Sequence, residues 1–125
     1  MDKVLRFEAE EEVAFDMWLN ARLGLSRVEL LKTQRLLERQ KIRYAQSCRA
    51  LQLAEATIPT IVLDGPVAEK DKRWFEIVEY EASQKMKDCG KMTQYRTQLA
   101  ISLLEKEIKE LEMMIAERQI ETDPA

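Results

Sequence analysis

The sequence contains no histidine, and it has only two cysteines, three glycines and three prolines in 125 residues. Without histidine, the chain lacks the commonest general base, the Ser-His and Cys-His nucleophile systems and the usual ligand of zinc and di-iron sites. It also lacks the glycine-rich motifs that cradle phosphate groups. We therefore expect that the protein is not an enzyme and that it holds no metal and no cofactor.

Carboxylates do recur at helical spacing, in Glu8 with Glu11 and Glu12, in Glu76 with Glu79, and in Glu107 with Glu110. A pair of this kind can hold magnesium when a second acidic pair faces it from another helix. None of the pairs has an obvious companion in the sequence. We interpret them as surface charge.

The two cysteines, Cys48 and Cys89, are isolated and form no CxxC pair. Free thiols are typical of a reducing compartment. No apolar run approaches the roughly 18 residues that a helix needs to span a bilayer. The first residues, MDKVLRFEAEEE, are too acidic for a signal peptide. We therefore expect a cytoplasmic protein that has no membrane partner.

Proline and glycine cluster at one place in the chain. Residues 7–56 contain no proline and one glycine, and so do residues 67–122. Between them, residues 57–67 read TIPTIVLDGPV, with two prolines and a turn signal. We predict a single all-α domain over residues 1–125. Its parts are a helical segment 7–56, a connector 57–66, a helical segment 67–121 and a frayed tail 122–125.

Apolar residues recur in both segments at the spacing of a coiled coil. The first segment carries Leu23, Leu30, Leu37, Tyr44 and Leu51 every seven residues, and the second carries Ile101, Leu104, Ile108, Leu111 and Ile115. A short connector makes helices antiparallel neighbours, and residue numbers of paired positions then sum to roughly 128. The predicted fold is two long helices in an antiparallel coiled-coil-like hairpin, with Leu111 opposite Met17.

Possible helix breaks near Gly24 and Gly90 would instead give a bundle of three or four helices. Gly24 is a possible helix C-terminus, and Ser26 with Glu29 forms a possible capping box after it. The second possible break lies at Gly90, near which the apolar stripe also changes phase.

A two-helix hairpin buries only one stripe on each helix. It leaves over Leu19, Leu25, Leu36, Leu53, Ile77 and Met113. Because exposed apolar patches usually mark an interface, we expect a homo-oligomer or a partner helix. The predicted oligomer seam is Leu104, Ile108, Leu111 and Ile115.

Charge is segregated along the chain, although the net charge is only −3. Residues 1–20 and 97–125 are acidic, whereas residues 21–49 are basic. Within the basic stretch, one helix face carries the basic waist, which we define as Lys32, Arg35, Arg39 and Arg43. The basic waist is either a solvated face or a docking surface for an acidic protein. Because no aromatic residues interleave it and acidic segments flank it, we do not expect nucleic acid as a partner.

The connector places apolar side chains at the predicted hairpin tip, namely Ile58, Ile61, Val62 and Leu63. They either fold back over the end of the hairpin or form a partner-binding tip.

Leu23-Gly24-Leu25-Ser26, followed by Leu30, resembles the turn of helix-turn-helix DNA-binding proteins, and it departs from that pattern at Asn20. The resemblance implies an alternative function, a DNA-binding regulator that uses residues 20–35. The leading prediction is a non-enzymatic protein–protein interaction module, such as a coiled-coil adaptor, an assembly factor or chaperone, or a structural subunit of a larger complex.

Overall fold

A computed structural model describes residues 2–57 and 66–122 of the chain. Every described residue except Cys89 and Gly90 is α-helical. The helices are α1 (Asp2–Thr57), α2 (Pro66–Asp88) and α3 (Lys91–Thr122). The prediction of an all-α protein is therefore confirmed.

The ends of α2 follow from local chemistry. Pro66 is its first residue, where the missing N–H costs nothing because that group has no partner inside the helix. Lys85 and Lys87 lie in its last turn, where they oppose the negative end of the helix dipole.

The possible break at Gly24 is wrong, because α1 continues through this residue. Nothing lies within 4 Å of the place that a Cβ atom would occupy there. One glycine costs a helix about 1 kcal/mol, and the good helix formers on both sides outweigh it. Residues 20–35 thus belong to one uninterrupted helix.

The possible break at Gly90 is present, since α2 ends at Asp88 and α3 begins at Lys91. The Cys89 amide still donates to the Lys85 carbonyl at 2.9 Å. The side-chain amide of Gln94 donates to the Cys89 carbonyl at 2.9 Å, so a side chain caps a carbonyl that the helix leaves open. A Cβ atom on residue 90 would lie 2.9 Å from a backbone oxygen, and this close approach favours glycine.

The chain divides into two compact units. The first unit comprises Met1–Gln34 and Leu99–Ala125. Its core is a cluster of Leu19, Leu23 and Leu111, against which Ile108 and Ile115 pack. The predicted pairing of Leu111 with Met17 is wrong, because Leu111 lies in this cluster and Met17 is exposed.

The second unit is Arg35–Gln98. Its buried side chains are mostly small, namely Leu37, Ser47, Ala54, Ala82, Cys89 and Thr97. Short side chains let helix backbones approach one another closely, but they bury little apolar area. Among the described residues of this unit, the buried side chains therefore contribute little apolar area.

None of the helices within residues 2–57 and 66–122 combines the length and apolar character that crossing a bilayer requires.

Candidate protein-interaction surface

Ion pairs border the core of the first unit. Arg22 donates to Glu107 at 2.5 Å, and Arg27 donates to Glu112 at 3.1 Å. Arg118 makes a third pair with Asp16. All six side chains retain contact with solvent, so the pairs contribute to orientation more than to stability.

The Arg22–Glu107 pair shifts the titration of both partners. The hydrogen bond from Arg22 lowers the pKa of the Glu107 carboxyl, and the same contact raises the pKa of Arg22. Ser26, buried beside this pair, makes a smaller contribution to lowering the pKa of Glu107, although its hydroxyl forms no hydrogen bond of ordinary geometry. The pair thus fixes a negative and a positive charge where α1 meets α3.

An aromatic cluster lies on the same unit. The rings of Phe15 and Trp18 stack with centroids 6.2 Å apart and planes 10° from parallel. The guanidinium carbon of Arg118 lies 4.8 Å from the Phe15 ring centroid, which is a cation–π contact. Beside Phe15 is a groove of about 630 Å³ that Glu8 and Glu12 also line. An apolar ring therefore adjoins an acidic groove.

One face of α1 in this unit is apolar and unburied. We call it the outer stripe and define it as Val4, Phe7, Ala14, Trp18, Ala21, Leu25 and Val28, all of them exposed. Their spacing of three and four residues, with Glu11 filling the remaining position, places them on one side of the helix. By the same periodicity, Leu19 and Leu23 point to the opposite side, into the core. Helix α1 thus carries two apolar faces here, of which the described residues cover one.

Of the outer stripe, only Leu25 is among the residues that the hairpin prediction leaves uncovered. The spacing of the stripe is visible in the sequence, but Glu11 and the two alanines interrupt it. A second pattern on α1 is polar and is not detected as an apolar repeat. Ser26, Thr33, Gln40 and Ser47 recur every seven residues on α1, and each is buried or half-buried.

The residues of the predicted oligomer seam lie inside the first unit. Leu111 is buried and Leu104 is half-buried, while Ile108 and Ile115 pack against the cluster of Leu19 and Leu23. The structure thus shows these residues in contacts within one chain. Their role between chains stays a prediction.

All four residues of the basic waist are exposed on α1. Lys32 lies in the first unit and the three arginines lie in the second. Arg39 and Arg43, together with Asp88 and Cys89, line a groove of about 580 Å³. The structure therefore places two of the predicted docking residues at the rim of a surface groove.

The predicted tip residues Ile58, Ile61, Val62 and Leu63 lie outside the described residues. Within the described ranges, no three or more cysteine, aspartate or glutamate side chains come together in a group that could hold a metal ion.

The chain matches no protein-family model, no curated protein and no solved structure.

Proposed function

We propose that the protein is a non-enzymatic protein–protein interaction module, built as an antiparallel coiled-coil-like hairpin. It serves as an adaptor, an assembly factor or a structural subunit of a larger complex. Its helices supply the scaffold, and the apolar surface that they leave open supplies the binding site.

The observation that carries this proposal is the imbalance between core and surface in the first unit. The core cluster holds only three buried residues. The exposed large apolar residues of the same unit are Val4, Leu5, Phe7, Val13, Phe15, Met17, Trp18, Leu25, Val28, Leu31, Leu99, Leu103, Met113, Met114 and Ile120. Exposed apolar residues in this number are typical of a protein that binds another protein.

The order of contacts supports the hairpin within each unit. In the first unit, Asp16 pairs with Arg118 whereas Arg22, later in α1, pairs with Glu107, earlier in α3. In the second unit, Gln40 bonds Thr97. Further along α1, Ser47 lines a groove with Ala82, which precedes Thr97 in the chain. These contacts run in antiparallel order, whereas the Arg27–Glu112 pair, in which both residues lie later in the chain than in Arg22–Glu107, departs from it.

Affinity and orientation come from different features of this surface. Burial of apolar side chains contributes about 25 cal/mol per Å² of area removed from water. The segregated charges, acidic near both ends of the chain and basic in residues 21–49, select the orientation of the partner.

The experiment is affinity purification of the tagged chain from cells that express it, compared with Phe7→Glu and Leu25→Glu variants. The proposal predicts that a protein, either a second copy or a different chain, is retained in stoichiometric amount by the wild type and lost from the variants. A wild-type chain that is recovered alone and as a monomer would contradict it.

No second function is proposed, since α1 is continuous through residues 20–35 and the turn that a helix-turn-helix reader needs is not formed there.

A further inference from the structure

The outer stripe of α1 has no covering element among the described residues of the first unit. Phe7 is 60% exposed, Trp18 is 56% exposed and Leu25 is 61% exposed. A helix that is apolar on two opposite sides is normally buried on both. The core of the first unit covers only the side that carries Leu19 and Leu23.

We propose that the outer stripe binds the outer stripe of a second copy of this chain, with the two α1 helices antiparallel across a two-fold axis. This inference rests on the proposed function and names its partner. A two-fold interface uses the same patch on both copies, so the patch must be complementary to itself. The order of large and small side chains in the outer stripe meets this condition, and its charges disfavour the parallel alternative.

The complementarity of shape follows from the positions of large and small side chains. The stripe runs from Val4 to Val28, so residue 16 is its centre, and full overlap of two antiparallel copies places the two-fold axis there. Phe7 of one copy then meets Leu25 of the other, and Trp18 meets Ala14. A ring opposite a methyl group lets the two helices approach closely, as ridges packed into grooves require.

The distribution of charge disfavours the parallel arrangement. On one side of residue 16, α1 carries Glu8, Glu10, Glu11 and Glu12. On the other side it carries Arg22 and Arg27, each of which is already paired with a glutamate of α3 in the same chain. An antiparallel pair therefore keeps the four glutamates of one copy away from those of the other. A parallel pair would set the four glutamates of one copy against those of the other, which is unfavourable.

The area available is that of a weak dimer. Aromatic side chains bury 150–250 Å² each when fully covered. Since Phe7 and Trp18 are more than half exposed, covering these rings and the aliphatic residues of both copies buries about 1,000 Å², the lower bound for a specific interface.

The first test measures the mass of the full chain by sedimentation equilibrium over a range of concentrations. The inference predicts a dimer of the 14.7 kDa chain and a monomer for Leu25→Glu. Leu103→Glu is the matched control, because Leu103 is 59% exposed and lies on α3; it is expected to remain a dimer. Circular dichroism confirms that both variants keep the helical content of the wild type.

The second test measures orientation without altering the stripe. Spin labels are attached to Asn20→Cys or Glu29→Cys in a chain whose Cys48 and Cys89 are replaced by serine. At 1.5 Å per residue, an antiparallel pair centred on residue 16 separates the labels along the helix axis by about 12 Å at position 20 and about 39 Å at position 29. Equal distances at the two positions would overturn the antiparallel pairing.

The outcomes separate this inference from the proposed function. A wild-type chain that is monomeric at every concentration overturns the inference. If that monomer binds a different protein and Leu25→Glu loses the binding, the proposed function stands without the inference. If the monomer binds no protein, both fail.

Discussion

The Thr97 hydroxyl donates a hydrogen bond to the side-chain oxygen of Gln40, which lies 2.8 Å away in the second unit. Thr97 is buried and Gln40 is half-buried. The same hydroxyl also lies 3.0 Å from the Thr93 carbonyl oxygen of its own helix. A polar pair between two helices favours one alignment, because a shift along their axes leaves the Gln40 oxygen without this donor. The contact thus favours one register between α1 and α3 in the second unit.

Removing the Thr97 hydroxyl is expected to destabilise the protein. Thr97→Val keeps the shape of the side chain but leaves the Gln40 oxygen unpaired, which costs about 1–2 kcal/mol of unfolding free energy. Urea denaturation measures this loss. When Gln40→Leu is added, the buried polar atom that lost its partner is removed as well, so the double variant recovers most of the stability. Strictly additive losses would show that the two residues are not coupled.

Replacing Gly24 or Gly90 with alanine is expected to change the stability of the protein in opposite directions. Gly24→Ala stabilises the protein by about 0.5–1 kcal/mol, because Gly24 is helical and a Cβ atom meets nothing there. Gly90→Ala destabilises it, because its Cβ atom would press against the backbone oxygen of Met86 at 2.9 Å. Thermal melting of both variants measures the difference. A stabilised Gly90→Ala protein would indicate that α2 and α3 form one helix.

The pH dependence of stability is expected to include a contribution from the Arg22–Glu107 pair. Because Arg22 lowers the pKa of Glu107 below its ordinary 4.5, the pair stabilises the fold above that value. The contribution is lost as the pH falls through the lowered pKa. Arg22→Gln therefore lowers the melting temperature near neutral pH and has a smaller effect at about pH 2.

The effect of Arg22→Gln is expected to be small, since both side chains are partly exposed. Lys109→Gln is the control, because it removes an equal charge from an exposed site on α3 that belongs to none of the three ion pairs described above. The difference between the two variants shrinks in 1 M salt, where screening acts within about 3 Å. An equal difference at both pH values would exclude this pair as its source.

Truncating Leu19 is expected to destabilise the core of the first unit more than truncating an exposed leucine. Leu19 is fully buried, so Leu19→Ala leaves a cavity and costs about 2–5 kcal/mol. Leu103→Ala removes the same atoms from an exposed site and costs less than about 0.5 kcal/mol. Urea denaturation compares them, and similar losses for both variants would contradict the core described here.

Helix content was predictable from the sequence, because proline and glycine are rare outside one connector. The predicted segment 7–56 lies within α1, which begins five residues earlier at Asp2, and the predicted segment 67–121 covers most of α2 and α3. The sequence indicated two possible helix breaks, at Gly24 and at Gly90, and only the one at Gly90 is present. Only the second of the two glycines lies where a backbone oxygen approaches, and sequence patterns do not contain that contact.

The pairing of residues between helices was harder to predict. Counting residues outward from the connector along both helices predicts Leu111 opposite Met17. In the structure, Leu111 instead joins Leu19 and Leu23. The polar positions on α1, such as Thr33 and Ser47, share the buried side with the leucines, and a search for apolar repeats does not detect them.

We expect the apolar outer surface of the first unit to be covered by protein in the cell. In-cell photocrosslinking measures this, with a benzophenone amino acid placed at Trp18, at Leu25 or at the exposed polar position Glu105 on α3. The expected result is a covalent protein adduct, with a second copy or with another chain, from positions 18 and 25 and little from 105. No adduct at positions 18 and 25, or equal yields at all three, would contradict it.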